Sequence, residues 1–375
     1  MDGPWMKDGA ALYRARVRGS LLGGAIGDAL GLPVEFADIE RIRHIHGPHG
    51  VTDLVPGPHG AVGRISDDTQ MTLFTAEALI EAYAFERKGD RSDRRRAGDI
   101  SDRWPEMMLH AYERWLRTQS LAGPGTAPPS TGPADGLVTE DWLYARRAPG
   151  NACLSGVAQG HAPDRWRPLD GKPGEVNPDS KGCGAVMRSA PFGLIAEYDH
   201  VAFQMAARAA QITHGHPTGY YAAGAFAAII ANLVAGDSME GAVLRAMRLL
   251  SRYPGHEETT AALEQAVTEA GDRSVAPPER VQRLGAGWVA EEALAIAVFC
   301  ALYPGRVETK LLMSVNHSGD SDSTGAICGN LLGARYGDHT LPHEWVQRVE
   351  GRARTAVLAD DLAAVRVRGW LLGPA

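Results

Sequence analysis

The sequence predicts an all-α fold in a single domain. Three observations carry that prediction. Apolar residues recur at threes and fours through most of the chain. No run alternates apolar and polar convincingly between turn signals. Alanine is abundant, in stretches that are apolar on most faces. No linker has the charge or length to divide 375 residues into two units, so residues 11–375 are expected as one domain behind a flexible arm at 1–10.

Leu12, Val17, Leu21, Leu22, Ile26 and Leu30 predict a helix over 11–32, ended by Pro33, with Glu35 in the turn beyond. Gly23, Gly24, Gly27 and Gly31 are costly inside a helix, and their use is the close approach of another backbone. Asp28, within that run, is expected to be buried and paired. Residues 37–65, with His44, His46 and His49, read as a long irregular loop. Helices over 71–85 and 104–116 flank a densely charged, exposed segment at 86–102, whose arginines at 91–96 read as a solvated charge run. Residues 121–138 have loop composition. Pro149-Gly150-Asn151 is a turn opening a helix, and a Gly/Pro-rich loop spans 159–181. Lys181-Gly182-Cys183-Gly184 is a glycine turn running into a helix. Further helices are expected over 192–212, 217–235, 238–252, 259–270, 291–303 and 307–316, with a loop at 271–287.

Composition narrows the function classes. A formal net charge of -7, from 38 basic and 45 acidic residues, gives no support to broad electrostatic binding of nucleic acid or an anionic membrane. The four cysteines, Cys153, Cys183, Cys300 and Cys328, form no C-x-x-C pair and read as reduced thiols of a cytoplasmic protein. The N-terminus lacks the apolar core of a secretory signal. The apolar stretch from Tyr220 to Ala235 is shorter than the ~20 residues of a membrane span and contains Asn232, so it reads as a buried core helix.

Two acidic clusters carry the chemistry. Ser66-Asp67-Asp68-Thr69 opens one apolar helical run, and Gly319-Asp320-Ser321-Asp322-Ser323-Thr324-Gly325 opens another. One capping acid serves a helix start, and capping explains either cluster alone as well as a metal does. The repetition, with hydroxyls each time, favours a hard divalent cation such as Mg²⁺ or Mn²⁺. The ligand set is then Ser66, Asp67 and Asp68 with Asp320, Asp322 and Ser323 or Thr324. Two such cations in one cleft can polarise sugar hydroxyls and a water together.

Three weaker signals accompany them. Ser180-Lys181-Gly182-Cys183-Gly184 offers backbone N–H groups suited to phosphate, though its spacing matches no Walker A or dinucleotide turn and suits a purely structural turn as well. Thr213-His214-Gly215-His216 precedes a buried helix; the His-x-His spacing suits a metal pair or a capping loop with one core histidine, and the functional reading of His214 is a ligand hydroxyl or phosphate contact. Trp288, beside Gly285 and Gly287, is either a stacking surface or a buried anchor.

These segments, taken together, resemble the ADP-ribosylglycohydrolases. Gly27-Asp28-Ala29-Leu30-Gly31 with Glu35, Ser66-Asp67-Asp68-Thr69-Gln70-Met71, Arg147-Ala148-Pro149-Gly150-Asn151, Gly182 to Arg188, Thr213 to Gly219, Gly287 to Leu294 and Gly319 to Gly325 occur in family order from about residue 14 to 337. The resemblance implies an all-α fold with a binuclear Mg²⁺ or Mn²⁺ centre in a cleft. It places Ser66, Asp67, Asp68, Asp320, Asp322 and Ser323 at ligand positions and Glu35 on a flap beside them. Ser180, Gly182 and Gly184, with Cys183 and Asn151 nearby, fall on the loops that contact ADP-ribose, and His214 on a substrate-contacting histidine. It implies hydrolysis at C1″ of ADP-ribose linked to an acceptor, with Asp67, Asp68 or Glu35 orienting or deprotonating the water. The motifs are most similar to the branch acting on ADP-ribosyl-arginine in proteins, with ADP-ribose as product. Serine-, nucleic-acid- or small-molecule-linked ADP-ribose, or a non-catalytic ADP-ribose-binding module, are the alternatives.

Overall fold

A computed structural model describes residues 4–57, 60–85, 100–125, 133, 136–272 and 277–372. Among them sixteen α-helices occur and no strand, only the isolated bridges Pro56–Val62 and Gly182–Val289. Residues 86–99 of the charged segment expected at 86–102, with its arginine run, and residues 126–132, 134 and 135 of the loop expected at 121–138 lie outside the described residues.

The architecture is built on one helix pair from opposite ends of the sequence. Helix α1 (Pro4–Gly31) lies antiparallel against α14 (Ser321–Tyr336). Gly19, Gly23, Gly27 and Gly31 face Gly333, Gly329, Gly325 and Ser321 in turn. A Cβ on Gly27 would lie 1.9 Å from the carbonyl oxygen of Gly325, and one on Gly329 would lie 1.9 Å from that of Gly23. The glycines of α1 are thus the close backbone approach that their cost inside a helix predicts. Asn330 ties the pair further, its Nδ2 donating to Ser20 O at 2.8 Å.

Around this pair stand α3 (Asp67–Phe85), α4 (Trp104–Thr118), α5 (Asn151–Ala158), α6 (Ala190–Ile195) and α7 (Asp199–Ala210). The second half adds α8 (Pro217–Ala235), α9 (Met239–Leu250), α10 (Glu257–Gly271), α12 (Ala290–Leu302) and α13 (Val307–Val315). Helix α8 is the apolar stretch noted above. It is buried nearly throughout, against α6, α7 and α9.

The structure departs from the sequence expectation in five places. Residues 4–10, expected within a flexible arm, are the first turns of α1, with Pro4 at the first helical position, where its missing N–H costs nothing. The expected loop at 37–65 contains α2 (Ile39–His46), because Asp38 Oδ1 caps Arg41 N at 2.7 Å and Ile39 and Ile42 are buried. The stretch 192–212 is two helices, since the chain is extended at Ala196 and α7 begins afresh at Asp199. The expected loop at 271–287 holds α11 (Pro277–Arg283). The glycine turn at 182–184 leads into a 3-10 turn, Cys183–Ala185, rather than directly into a helix. Two further helices follow, α15 (His343–Arg348) and α16 (Arg352–Leu372), α16 packing on α1 and α3.

Candidate metal centre and substrate cleft

Both acidic clusters form helix N-termini, and the glycine-paired helices bring those termini together. Asp67 and Asp68 are the first residues of α3, inside its opening turn rather than before it. Asp320 caps α14, and Asp322 lies in that helix's first turn. The positive end of each helix dipole favours the carboxylates there. The two clusters touch directly, as Ser323 Oγ donates to Asp68 Oδ1 at 3.0 Å. Ser66 Oγ donates to Asp68 Oδ2 at 3.0 Å.

Asp28 joins them. It is fully buried and accepts from Ser66 N at 2.9 Å, Thr69 N at 3.1 Å and Thr69 Oγ1 at 2.5 Å. Carboxylate oxygens of Asp28, Asp68 and Asp322 lie within 4.8 Å of one another, as do those of Glu35, Asp320 and Asp322. Five carboxyl groups therefore share one small volume. The hydroxyls of Ser323 and Thr324 face different neighbours. Thr324 Oγ1 is taken up by the carbonyls of Ser314 (2.7 Å) and Asp320 (2.9 Å), whereas Ser323 faces the acids and lines the cleft.

The electrostatics follow from that crowding. Burial, then the charge on Asp322, pushes Asp67 and Asp68 well above the usual carboxylate range. Asp320 is raised for the same reasons, and burial with the Asp322 charge takes Asp28 to about 7. Glu35 is pushed up to about 11 by burial and by the charges of Asp322, Asp320, Asp67 and Asp28. Such a cluster repels itself unless protons or cations neutralise it. The donors are all oxygen, which suits Mg²⁺ or Mn²⁺.

Above the acids lies a cleft of about 350 Å³. Glu35, Asp67, Asp68, Asn151, Gly182, Cys183, Gly184, His214, Trp288, Asp320, Asp322 and Ser323 all line it. Gly182 and Cys183 reach it because residues 181–183 pair with 288–290, through Cys183 N to Trp288 O (3.1 Å) and Ala290 N to Lys181 O (2.8 Å). Cys183 Sγ donates to Asp320 Oδ2 at 2.7 Å. A Cβ on Gly184 would come within 2.5 Å of Cys153 Sγ. Asn151 begins α5, and the preceding Gly150 N–H donates to Asp67.

Glu35 follows the 3-10 turn Leu32–Val34 at the end of α1. Its neighbour Phe36 has φ +67° and stacks on Trp288, with ring centroids 5.1 Å apart at 22°. Trp288 is thus at the cleft mouth, 39% exposed, and not a buried anchor. Opposite, His214 is buried, its ring beside Gly182 and Gly184. Burial and the nearby Arg188 lower it to about 3.

Two expected site residues do not line the cleft. Ser66 sits beneath the acids and reaches them through Asp68. Ser180 turns away, packing by its carbonyl against Gly219 at the start of α8 and accepting from His216 N at 3.2 Å. The structure adds three residues that sequence reasoning did not place in the site: Asp28, Phe36 and Cys153. Asp28 carried a signal, an acid in a glycine-rich helix. The other two carried none. Arg147 lies just behind, donating to Ile65 O at 2.7 Å and pairing with Glu350, so it holds the chain that enters α3.

The chain is similar to known proteins over most of its length. The ADP-ribosylarginine hydrolase Tri1 of Pseudomonas putida is 24% identical over 350 residues, covering 92% of this chain and 77% of that one. The ADP-ribosylhydrolase ARH3 of Bos taurus is 25% identical over 399 residues, covering 95% and 94%. A solved structure described as an ADP-ribosylglycohydrolase-related protein complex superposes with a TM-score of 0.64 at 24% identity, over 95% of this chain and 99% of that chain. The family profile for ADP-ribosylglycohydrolase matches residues 10–370, and the chain belongs to the ADP-ribosylglycohydrolase family of hydrolases.

Proposed function

We propose that the protein is a divalent-cation-dependent hydrolase that cleaves the N-glycosidic bond between ADP-ribose and an arginine side chain of a modified protein. One observation carries this reading: the buried carboxyls of Asp67, Asp68, Asp320 and Asp322, with half-buried Glu35, line one cleft together with the glycine loop 182–184, His214 and Trp288. The acidic floor complements a cationic guanidinium, and the likeness to an enzyme named ADP-ribosylarginine hydrolase supports that acceptor.

The donor set fits two Mg²⁺ or Mn²⁺ ions held by Ser66, Asp67, Asp68, Asp320, Asp322 and Ser323. When bound, the ions supply positive charge that orients the ribose hydroxyls and acidifies a nearby water. Glu35, Asp67 and Asp68 are the carboxylates that orient or deprotonate that water. Water adds at C1″, the C1″–N bond breaks, and a proton ends on the departing guanidine. Backbone N–H groups of Gly182 and Gly184 hold phosphate oxygens, and Asn151, Cys183, His214 and Trp288 contact the nucleotide sugar. Asp28 positions the α3 turn through Ser66 and Thr69. The four free cysteines fit a cytoplasmic, single-domain enzyme.

The test measures ADP-ribose release from defined arginine-, serine- and nucleotide-linked substrates, with Mg²⁺ or with EDTA. Release from the arginine linkage that EDTA stops is the expected result. Preference for the serine linkage would reassign the acceptor, and turnover on no linkage, with binding of ADP-ribose intact, would leave a binding module instead.

A further inference from the structure

Arg188 is a buried cation whose partners are unusual. It is 1% exposed. Its Nη1 lies 3.5 Å from Met71 Sδ and 3.5 Å from Cys153 Sγ, and its guanidinium stacks 4.5 Å over Tyr112. The one short hydrogen bond goes from Nη2 to Thr213 Oγ1 at 2.5 Å. Thr213 Oγ1 in turn lies 2.7 Å from His214 Nδ1. These three groups form a chain running from the core to the cleft wall.

The direction of each bond in that chain is constrained by what each group can do. A guanidinium only donates, so Thr213 Oγ1 accepts from Arg188. The hydroxyl then has a single proton left to give. That proton can go to His214 Nδ1 at 2.7 Å or to Ala210 O at 3.4 Å, and the first makes the shorter bond. With Nδ1 as the acceptor, the ring proton sits on Nε2. A Cβ on Gly182 would lie 3.2 Å from that nitrogen, so Nε2 is beside the glycine loop that lines the cleft. The positive charge of Arg188 and burial also keep the ring neutral.

We propose that Arg188 acts through Thr213 to fix His214 as its Nε2–H tautomer, so that the ring presents a hydrogen-bond donor to an oxygen of the ADP-ribosyl group. Arg188 and Thr213 are positioning residues. Neither lines the cleft. The inference rests on the reading of the cleft as an ADP-ribose site only for the identity of the acceptor. The tautomer is a property of the protein alone.

The experiment uses the full chain in two measurements. Nitrogen-15 histidine spectra of the ligand-free protein report which His214 nitrogen carries the proton. Titration with ADP-ribose reports binding without requiring turnover. Wild type is expected to show a protonated Nε2 and a bare Nδ1. Thr213→Val keeps the shape but neither accepts nor donates, so it is expected to mix or invert the tautomers and weaken ADP-ribose binding about tenfold. Thr213→Ser is expected to restore both, and Arg188→Met to behave like Thr213→Val if it folds. A wild-type Nδ1–H tautomer, or a Thr213→Val protein with unchanged tautomer and affinity, overturns the proposal. Loss of hydrolysis on every linkage with the expected spectra would instead count against the proposed reaction and leave the tautomer assignment standing.

Discussion

Replacing Gly27 by alanine tests whether backbone contact between α1 and α14 builds the metal centre. The added Cβ would sit 1.9 Å from Gly325 O and 2.3 Å from its carbonyl carbon. Normal contact needs roughly 3.5 Å, so the helices must part by about 1.5 Å at that level. Neither obstacle is a side chain that can swing aside, which puts the strain near the top of the roughly 1–3 kcal/mol usual for overpacking. Alanine's better helix propensity returns up to about 1 kcal/mol, leaving a net loss of about 2 kcal/mol. Asp28 is the next residue, and Asp322 lies in the first turn of the facing helix, so parting the helices also spreads the acids. Urea unfolding is expected to show a lowered midpoint, and titration with Mn²⁺ at least a tenfold weaker affinity. Gly9→Ala on the same helix is the control, because its Cβ would meet nothing within 4 Å. It is expected to gain about 0.5–1 kcal/mol. The reasoning fails if Gly27→Ala matches the wild-type midpoint and affinity, or if both variants shift in the same direction.

Asp320→Ala is expected to abolish ADP-ribose release and Mn²⁺-induced thermal stabilisation while keeping the helical circular dichroism; residual activity near wild type would remove Asp320 from the ligand set. The pH dependence has a definite sign. Carboxyls raised by burial and mutual repulsion, Asp28 to about 7 and Glu35 to about 11, stabilise the fold fully only below the ordinary carboxylate range, and that contribution is lost as pH rises through the raised values. Cation binding needs the ionised forms, so the melting-temperature gap between Mg²⁺-loaded and EDTA-treated protein should widen from about pH 5 to about pH 8. A constant or narrowing gap contradicts the cluster's role. Phe36→Ala removes the stack on Trp288, worth about 0.5–1.5 kcal/mol, and should raise KM roughly two- to tenfold with a change in Trp288 fluorescence; unchanged kinetics would detach the flap from substrate binding.

The parts of the structure legible in the sequence are those written in a periodic or repeated code. The glycines of α1 announced a backbone partner, and the doubled acid-hydroxyl motif announced a shared oxygen site. What stayed hidden depends on distant neighbours. Helix α2 was masked by histidines and glycines, and its two buried isoleucines make sense only against the structure they cover. The break at Ala196 interrupts an alanine-rich run in which local propensity favours continuing the helix. Thr324 and Ser323 are alike in sequence, and only the carbonyls of Ser314 and Asp320 separate their tasks. Ser180 shares a motif with Gly182, yet the chain between them turns from the start of α8 to the cleft. The link from Arg188 to His214 joins residues 26 apart through a single threonine, and neither period nor composition marks it.

The pairing of α1 with α14 also sets an order of events during synthesis. Gly31 meets Ser321, so about 290 residues of chain emerge between the two halves of the contact. At roughly 5–20 residues per second, that is about 15–60 s in which α1 has left the ribosome with its glycine face unpartnered. Asp28 and Glu35 likewise wait for Asp320 and Asp322. A truncated chain that stops before residue 320 has no second cluster to close the site. Active enzyme should therefore appear only after the residues of α14 have left the ribosome, which makes the acidic site a reporter that the two helices have met.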